Sequence, residues 1–253
     1  MILLWSYLRG FVGIIFSVVW TILIAISVVA FGTFNQTRII NRLVYYWALF
    51  PLKILGIKVK AYGLENLPRS RGAIFVFNHQ SLFDILAVHL VTDITIRFGA
   101  KIELFKIPVF GHGMRAAGAL PIVRENRSEV FKVYREAEGR TGKGESFILA
   151  PEGTRQLTPQ IGNFKKGPFM FAVNAKAPVI PTVIVGSFEA MPKKDLLPNL
   201  GRMSRTIEVH FLKPVDTLGK EKEISELTQS VHDEMKRVFD ERHKILYPEM
   251  SDS

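Results

Sequence analysis

Residues 73–91 read "AIFVFNHQSLFDILAVHLV", and the fold turns on how this stretch is understood. Its first five residues, Ala73 to Phe77, are apolar without alternation, the pattern of a strand with no solvent-facing side. Its last eleven, Ser81 to Val91, read as a helix, with Ser81 suited to the N-cap. The polar segment between them holds His79, and Asp84 follows five residues later in the first helical turn. The pair is either a catalytic couple or a polar turn leading from a strand into a helix.

The same rhythm continues on both sides. "IKVKAYG" (57–63), "ITIRFGA" (94–100), "ALPIV" (119–123), "SFILA" (146–150), "PVIPTVIV" (178–185) and "TIEVHFL" (206–212) read as strands. Helical stretches lie between them. One runs from Ile107 to Ala117, one starts near Asn126 with the capping-box spacing Asn126-x-x-Glu129, and one starts at Pro168 and reaches about Ala175. The chain closes with a helix from Glu221 to Leu246, where Ile224, Leu227, Val231, Met235 and Val238 recur at spacings of three and four. Continuous apolar strands interleaved with helices predict an α/β domain, a mostly parallel mixed sheet flanked by helices on both faces, over residues 57–253. No repeat, low-complexity segment or long linker divides it.

Residues 1–56 have another character. From Gly10 to Thr37 there is no charge for 28 residues, where about 20 apolar residues cross a bilayer as a helix. The run is too long for a cleaved signal peptide, and no clear small-x-small site follows it. Arg38, Arg42, Lys53, Lys58 and Lys60 outnumber Arg9, which puts the rest of the protein on the cytoplasmic face of the inner membrane if the segment spans. The next stretch, Ile39 to Gly56, is broken by Arg42, Pro51 and Lys53 and is too short to span. Ile40, Val44, Trp47 and Phe50 share one helical face, and Tyr45 and Tyr46 suit headgroup depth. An interfacial helix is the favoured reading, and a helix buried in the globular domain is the other. Residues 1–56 are therefore expected to form an N-terminal membrane-embedded helical segment.

Composition narrows the chemistry. The chain has 253 residues, 48% of them hydrophobic, and a net charge of 33 minus 23, or +10, which favours anionic partners without choosing among them. Cysteine is absent, so disulfides, thiolate metal sites and a cysteine nucleophile are excluded. There is no His-Glu-x-x-His and no acidic cluster, so no metal is expected. "GRTGKGES" (139–146) fails the glycine spacing of a phosphate-binding loop, and basic residues are not interleaved with aromatics as in single-stranded nucleic-acid platforms, so no nucleic acid is expected.

Ligands of such sheets usually sit beyond the carboxyl ends of the strands. Three polar clusters fall there: "NHQSLFD" after 73–77, Arg124 after 119–123, and "PEGTR" (151–155) after 146–150. His79 and Asp84 alone carry little weight, since six His and seven Asp give such a spacing about 0.2 times by chance. At a strand end, however, the carboxylate can fix one ring nitrogen and leave the other free to take a proton. Ser81 lacks the Gly-x-Ser-x-Gly setting of a nucleophile, so His79 is expected to activate a substrate hydroxyl. Arg124, Arg155 and Lys101 suit a phosphate. Glu152 can accept from a hydroxyl or hold an arginine, Gly153 permits close approach of backbone, and Thr154 adds a small donor.

"NHQSLFD", "GALPIVR", "APEGTR" and "APVIP", in this order, resemble the four blocks of the glycerophospholipid acyltransferase family, over roughly Ile57 to Val215. Within that family the chain most resembles bacterial 1-acylglycerol-3-phosphate acyltransferases. The resemblance implies the glycerolphosphate acyltransferase-like fold, His79 as general base and Asp84 as its partner. It implies Arg124 and Arg155 as ligands of the acceptor phosphate and Glu152 and Gly153 as shapers of the acceptor site. "AKIELFKIPVFG" (100–111) is similar to the family's stretch between its first two blocks and supports Lys101 as a further phosphate contact. Ala150 stands where the family often has Phe, a departure expected to touch packing. The implied reaction moves an acyl chain from acyl-CoA or acyl carrier protein to the 2-hydroxyl of lysophosphatidate, with no other cofactor, at a phospholipid bilayer. Two alternatives stay open: an acyltransferase for another lysolipid, such as a lyso-ornithine lipid, and a non-catalytic scaffold that binds anionic lipid.

Overall fold

The computed structural model describes residues 2–34, 36–195, 197, 198 and 205–250. Seven strands form one sheet: β1 (Ile57–Tyr62), β2 (Ile74–Phe77), β3 (Ile96–Lys101), β4 (Leu120–Ile122), β5 (Ser146–Leu149), β6 (Val179–Val185) and β7 (Arg205–Phe211). They lie side by side in the order β1-β7-β6-β2-β5-β3-β4. Every pairing is parallel except β6 with β7, so the sheet is mixed and mostly parallel, as expected.

The side-chain period of two sorts the strands between two apolar layers. Phe75, Phe77, Ile96, Phe98, Ile148 and Ile180 face a cluster shared with α2 (Thr37–Ile54) and α3 (Phe83–Val91). Ile74, Val76, Phe147, Leu149, Val179 and Val183 face α5 (Arg127–Thr141), α6 (Gly167–Asn174) and α8 (Ile224–Leu246). The edge strand β1 leaves Lys58, Lys60 and Tyr62 exposed, whereas β2, β5 and β6 are buried at every position, which is why those three read as near-continuous apolar runs.

Helix boundaries follow local chemistry. Asn126 caps α5, its side-chain oxygen accepting from the N–H groups of Ser128 and Glu129, as the spacing predicts. Pro168 stands in the first turn of α6. Two expectations are corrected. Ser81 is not the N-cap of α3, which starts at Phe83 with Leu82 at the cap position. The Ser81 hydroxyl donates instead to the Met191 carbonyl at 2.8 Å and accepts only a long 3.3 Å bond from the Phe83 N–H. The helix expected from Ile107 is the shorter α4 (Phe110–Ala116), because Val109 adopts φ 64 and ψ −58 in a γ-turn closed by the Phe110 N–H on the Pro108 carbonyl at 2.7 Å. The short helix α7 (Ser187–Ala190) follows β6, and α8 begins at Ile224, three residues after Glu221.

The long helix α1 (Ile2–Gly32) doubles back into α2 as a hairpin. Among the described residues it is the one helix long and apolar enough to cross a membrane, with mean hydropathy 2.7 over Tyr7–Gly32. Phe11, Val12, Ile15, Val18, Val19, Ile22, Leu23 and Ile26 are exposed along one face. The opposite face packs at every level. Gly13 lies against Leu55, the Trp47 indole N–H donates to Thr21 Oγ1 at 2.9 Å, and the Trp20 indole N–H donates to the Tyr46 carbonyl at 3.1 Å. Farther on, Gly113 of α4 comes so close to Ala25 that a Cβ there would sit 2.9 Å from the alanine Cβ.

The two readings of residues 39–56 describe two faces of α2. Ala48 and Leu52 are buried in the cluster shared with α3 and the sheet, and Ile40 is buried against α1. Tyr45, Tyr46 and Phe50 stay exposed, so Phe50 falls off the apolar stripe expected to hold it.

Candidate active site

β2 ends at Phe77, and the chain then passes through four buried polar residues, Asn78 to Ser81. Asn78 continues the ladder with its side chain. Its amide donates to the Ile184 carbonyl and accepts from the Ile184 N–H, both at 2.8 Å, so it stands in for a peptide unit beside β6. This fixes where His79 points.

The His79 Nδ1 lies 2.8 Å from Asp84 Oδ2, with His79 8% exposed and Asp84 fully buried. The same oxygen accepts from the backbone N–H groups of Gln80 at 2.8 Å and Ser81 at 2.9 Å. Three donors on one oxygen are what a carboxylate attracts, and a carboxylate there makes Nδ1 the protonated ring nitrogen. Nε2 then carries the lone pair, and it makes no hydrogen bond to any described residue.

The second cluster is tied to the first through backbone: the Gln156 N–H donates to the His79 carbonyl at 2.9 Å. Pro151 and Glu152 form a turn closed by the Gly153 N–H on the Ala150 carbonyl at 3.1 Å, and Gly153 follows at φ +79, where only glycine is unstrained. A Cβ there would also meet Lys165 Nζ at 2.9 Å. Thr154 is exposed and accepts from Lys193 Nζ at 3.0 Å.

Glu152 is 6% exposed, and no described group makes a well-formed hydrogen bond to either carboxyl oxygen. It holds no arginine. Burial pushes its pKa up to about 8 and the nearby Asp84 charge adds to this, while the Gln156 side chain and the backbone at His79 and Gly162 oppose it. At pH 7 the side chain is therefore mostly the neutral acid. A carboxyl whose folded-state pKa is raised binds its proton more tightly in the folded protein, so folding stability falls as pH rises from its unfolded pKa of 4.5 to about 8. The slope approaches about 1.4 kcal/mol per pH unit at full burial. Glu152→Gln is accordingly expected to match wild type near pH 5 and to gain in relative stability up to pH 8. Urea unfolding at pH 5, 6, 7 and 8 reads this directly, and parallel pH curves for the two proteins would show that Glu152 is charged when folded.

Arg124 follows β4 and Arg155 follows β5, close enough for the charge of Arg155 to act on Arg124. Burial pulls the Arg124 guanidinium below its ordinary pKa, Glu125 and Glu103 oppose that, and the charge of Arg155 adds to it. Neither guanidinium makes an ion pair or hydrogen bond with a described residue. Two converging cations without a bound carboxylate form an arrangement that an anion stabilises. Lys101, at the end of β3, is one strand from Arg124 through the Lys101–Ile122 register and pairs with Glu103 at 3.3 Å. The structure thus brings Lys101, Arg124 and Arg155 to one edge of the sheet, next to the loop that holds His79.

Two cavities flank the sheet. One, about 310 Å³, is mostly apolar and lies between the hairpin, α3 and α4, with Ile24, Val44, Trp47, Ile85, Phe98 and Met114 among its walls. His89 lines it too, and burial with the charge of Arg97 pushes its pKa down to about 3, so it is neutral at pH 7. The other, about 560 Å³, opens on the opposite face beside Arg124 and Gly153. His79 lines neither. Among the described residues no three His, Asp or Glu side chains converge to hold a metal ion.

Asn78 and Gln156 were not singled out from sequence. Asn78 acts across 106 residues and Gln156 through its backbone, so no local signal marks either.

Residues 58–185 match the family model described as Acyltransferase. A chloroplast 1-acyl-sn-glycerol-3-phosphate acyltransferase of Brassica napus is 39% identical over 137 residues, 53% of this chain and 39% of that protein, so the chain spans about two-fifths of that relative's length. The 1-acyl-sn-glycerol-3-phosphate acyltransferase of Saccharomyces cerevisiae is 29% identical over 231 residues, 89% of this chain and 71% of that protein. Among solved structures, the 1-acyl-sn-glycerophosphate acyltransferase PlsC from Thermotoga maritima superposes with a TM-score of 0.81 at 27% identity, covering 95% of this chain and 97% of that one.

Proposed function

The chain belongs to the acyltransferase family, and from that premise we propose that it transfers an acyl chain from acyl-CoA or acyl carrier protein to the 2-hydroxyl of 1-acylglycerol-3-phosphate, giving phosphatidate. The observation that carries this is the His79–Asp84 pair, with Nδ1 held at 2.8 Å and Nε2 free, beside two guanidinium groups that form no ion pair with a described carboxylate. The names of the relatives support the choice of acceptor.

The steps follow from this geometry. Arg124 and Arg155, with Lys101, hold the acceptor phosphate. His79 Nε2 takes the proton of the 2-hydroxyl as its oxygen attacks the thioester carbonyl, and Asp84 stabilises the imidazolium that forms without itself gaining the proton. The tetrahedral intermediate collapses by breaking the C–S bond, and the leaving sulfur receives that proton from Nε2. Glu152, neutral at pH 7, donates a hydrogen bond within the acceptor site, with Gly153 and Thr154 shaping its wall.

The hairpin brings the acceptor. α2 and α4 pack on one face of α1 between Gly13 and Gly32, and the apolar residues from Phe11 to Ile26 stay exposed on the other. We read α1 as lying in the leaflet that faces the domain, on the cytoplasmic side of the inner membrane, with its exposed apolar face in lipid. The apolar cavity beside it suits an acyl chain.

The test is initial rates of labelled acyl transfer by purified protein in detergent micelles to a panel of lysolipids. Lysophosphatidate is expected to be the best acceptor. A preference for a lyso-ornithine lipid would reassign the acceptor, and no transfer from either donor class would leave a lipid-binding scaffold.

A further inference from the structure

The basic cavity meets the acceptor site at Arg124 and Gly153, and its remaining walls have no part in the steps above. It lies on the sheet face turned away from the hairpin, floored by apolar side chains of β4, β5 and α5. Arg124, Arg127, Lys165 and Lys166 stand around it, and no Asp or Glu lines it. Tyr134 reaches into it from α5. This tyrosine is 5% exposed and its ring stacks on Phe171, with centroids 4.9 Å apart and planes 8° apart. Its hydroxyl has no hydrogen-bond partner among the described residues and its oxygen is not sealed from solvent, so it is open to a ligand in the cavity. Burial raises its pKa, which keeps the proton on the oxygen and makes it a donor. The start of α6 closes the same wall. Gly167 and Pro168 line it, and a Cβ on Gly167 would sit 3.6 Å from the Tyr134 ring. A hydroxyl donor and four cations, with no acidic side chain among them, are the parts of a phosphate site.

Two kinds of substrate in this reaction carry phosphate. The acceptor is a lipid, and its acyl chain keeps it on the hairpin side. The donor's carrier is water-soluble and can reach the opposite face past the exposed Lys165 and Lys166. We infer that this cavity binds the phosphate of the donor's phosphopantetheine arm, the group that CoA and a carrier protein share. Arg124 stands at the boundary between this site and that of the acceptor. The inference rests on the acyl-transfer reading, since it presupposes a thioester donor.

Two variants test it without touching Arg124. Tyr134→Phe removes one hydroxyl and keeps the stacked ring, and Lys165→Ala with Lys166→Ala removes two charges from the mouth. Each is expected to raise KM about tenfold for both acyl-CoA and acyl carrier protein, the loss of one hydrogen bond to a charged group. The KM for lysophosphatidate should stay put, and rates with a phosphate-free N-acetylcysteamine thioester should equal those of wild type. A rise confined to acyl-CoA would assign the cavity to the nucleotide phosphates and overturn the shared-arm assignment. A rise in the lysophosphatidate KM, or no change anywhere, would overturn the donor site altogether. Equilibrium dialysis of labelled desulfo-CoA, which cannot react, separates the two readings. If wild type transfers to no acceptor yet binds desulfo-CoA about tenfold more tightly than the variants, the acyl-transfer reading falls and the phosphate site stands. Equal binding by all three proteins sinks the site.

Discussion

His79→Ala is expected to lower kcat for acyl transfer about a thousandfold, within the range a positioned general base contributes, while KM for both substrates changes little. The split arises because the imidazole is needed when the 2-hydroxyl loses its proton, whereas substrate is held by charges elsewhere. The His79 side chain sends only Nδ1 to a protein partner, so its removal leaves the Asp84 carboxylate with two of its three donors, from Gln80 and Ser81. The loop should keep its shape, and unchanged circular dichroism would verify that. Asp84→Asn is expected to cost less, about a hundredfold, because the amide oxygen can still accept from Nδ1–H while the charge that stabilises the imidazolium is gone. Transfer by His79→Ala within tenfold of wild type would remove His79 as the base, and an Asp84→Asn rate equal to wild type would reduce Asp84 to a residue that closes the loop.

Arg124→Ala and Arg155→Ala are each expected to raise the lysophosphatidate KM by about 10- to 100-fold, the range for losing one hydrogen bond between charged groups. The two effects should combine to less than their product, because relieving the repulsion between the guanidinium groups offsets part of each loss. Arg124→Lys should recover only part of the affinity, since an ammonium cannot offer two parallel N–H groups to a phosphate. Monoacylglycerol, which has no phosphate, supplies the internal control: it should be a poor acceptor for wild type and no poorer for the variants. Equal losses with both acceptors would mean that the arginines support the loop and do not bind phosphate.

The architecture was legible because burial on two faces leaves a mark on composition. β2, β5 and β6 are buried at every position and apolar at all but Ser146 and Thr182, and parallel strands covered by helices are the arrangement that demands this. The clusters were legible for a related reason: polar residues that directly follow such strands fall at the open edge of the sheet. Long-range and backbone effects were not legible. Ser81 looked like a cap because capping is a local rule, yet Met191, 110 residues away, takes its hydroxyl. The helix at residue 107 looked continuous because nothing in the local sequence marks the positive φ of Val109, a conformation β-branched residues rarely adopt.

The sequence by itself determined the α/β class, the apolar N-terminal helix and the membership of His79, Asp84, Lys101, Arg124, Glu152, Gly153, Thr154 and Arg155 in clusters at strand ends, since each depends on pattern within a few residues. Tertiary structure alone decided that Asp84 Oδ2 meets Nδ1 and leaves Nε2 free, that Glu152 is buried far enough to stay neutral, and that an apolar and a basic cavity lie on opposite faces of one sheet. These depend on distances between segments that meet only when the sheet closes, and on the loss of water around charges, which no residue carries in its own identity.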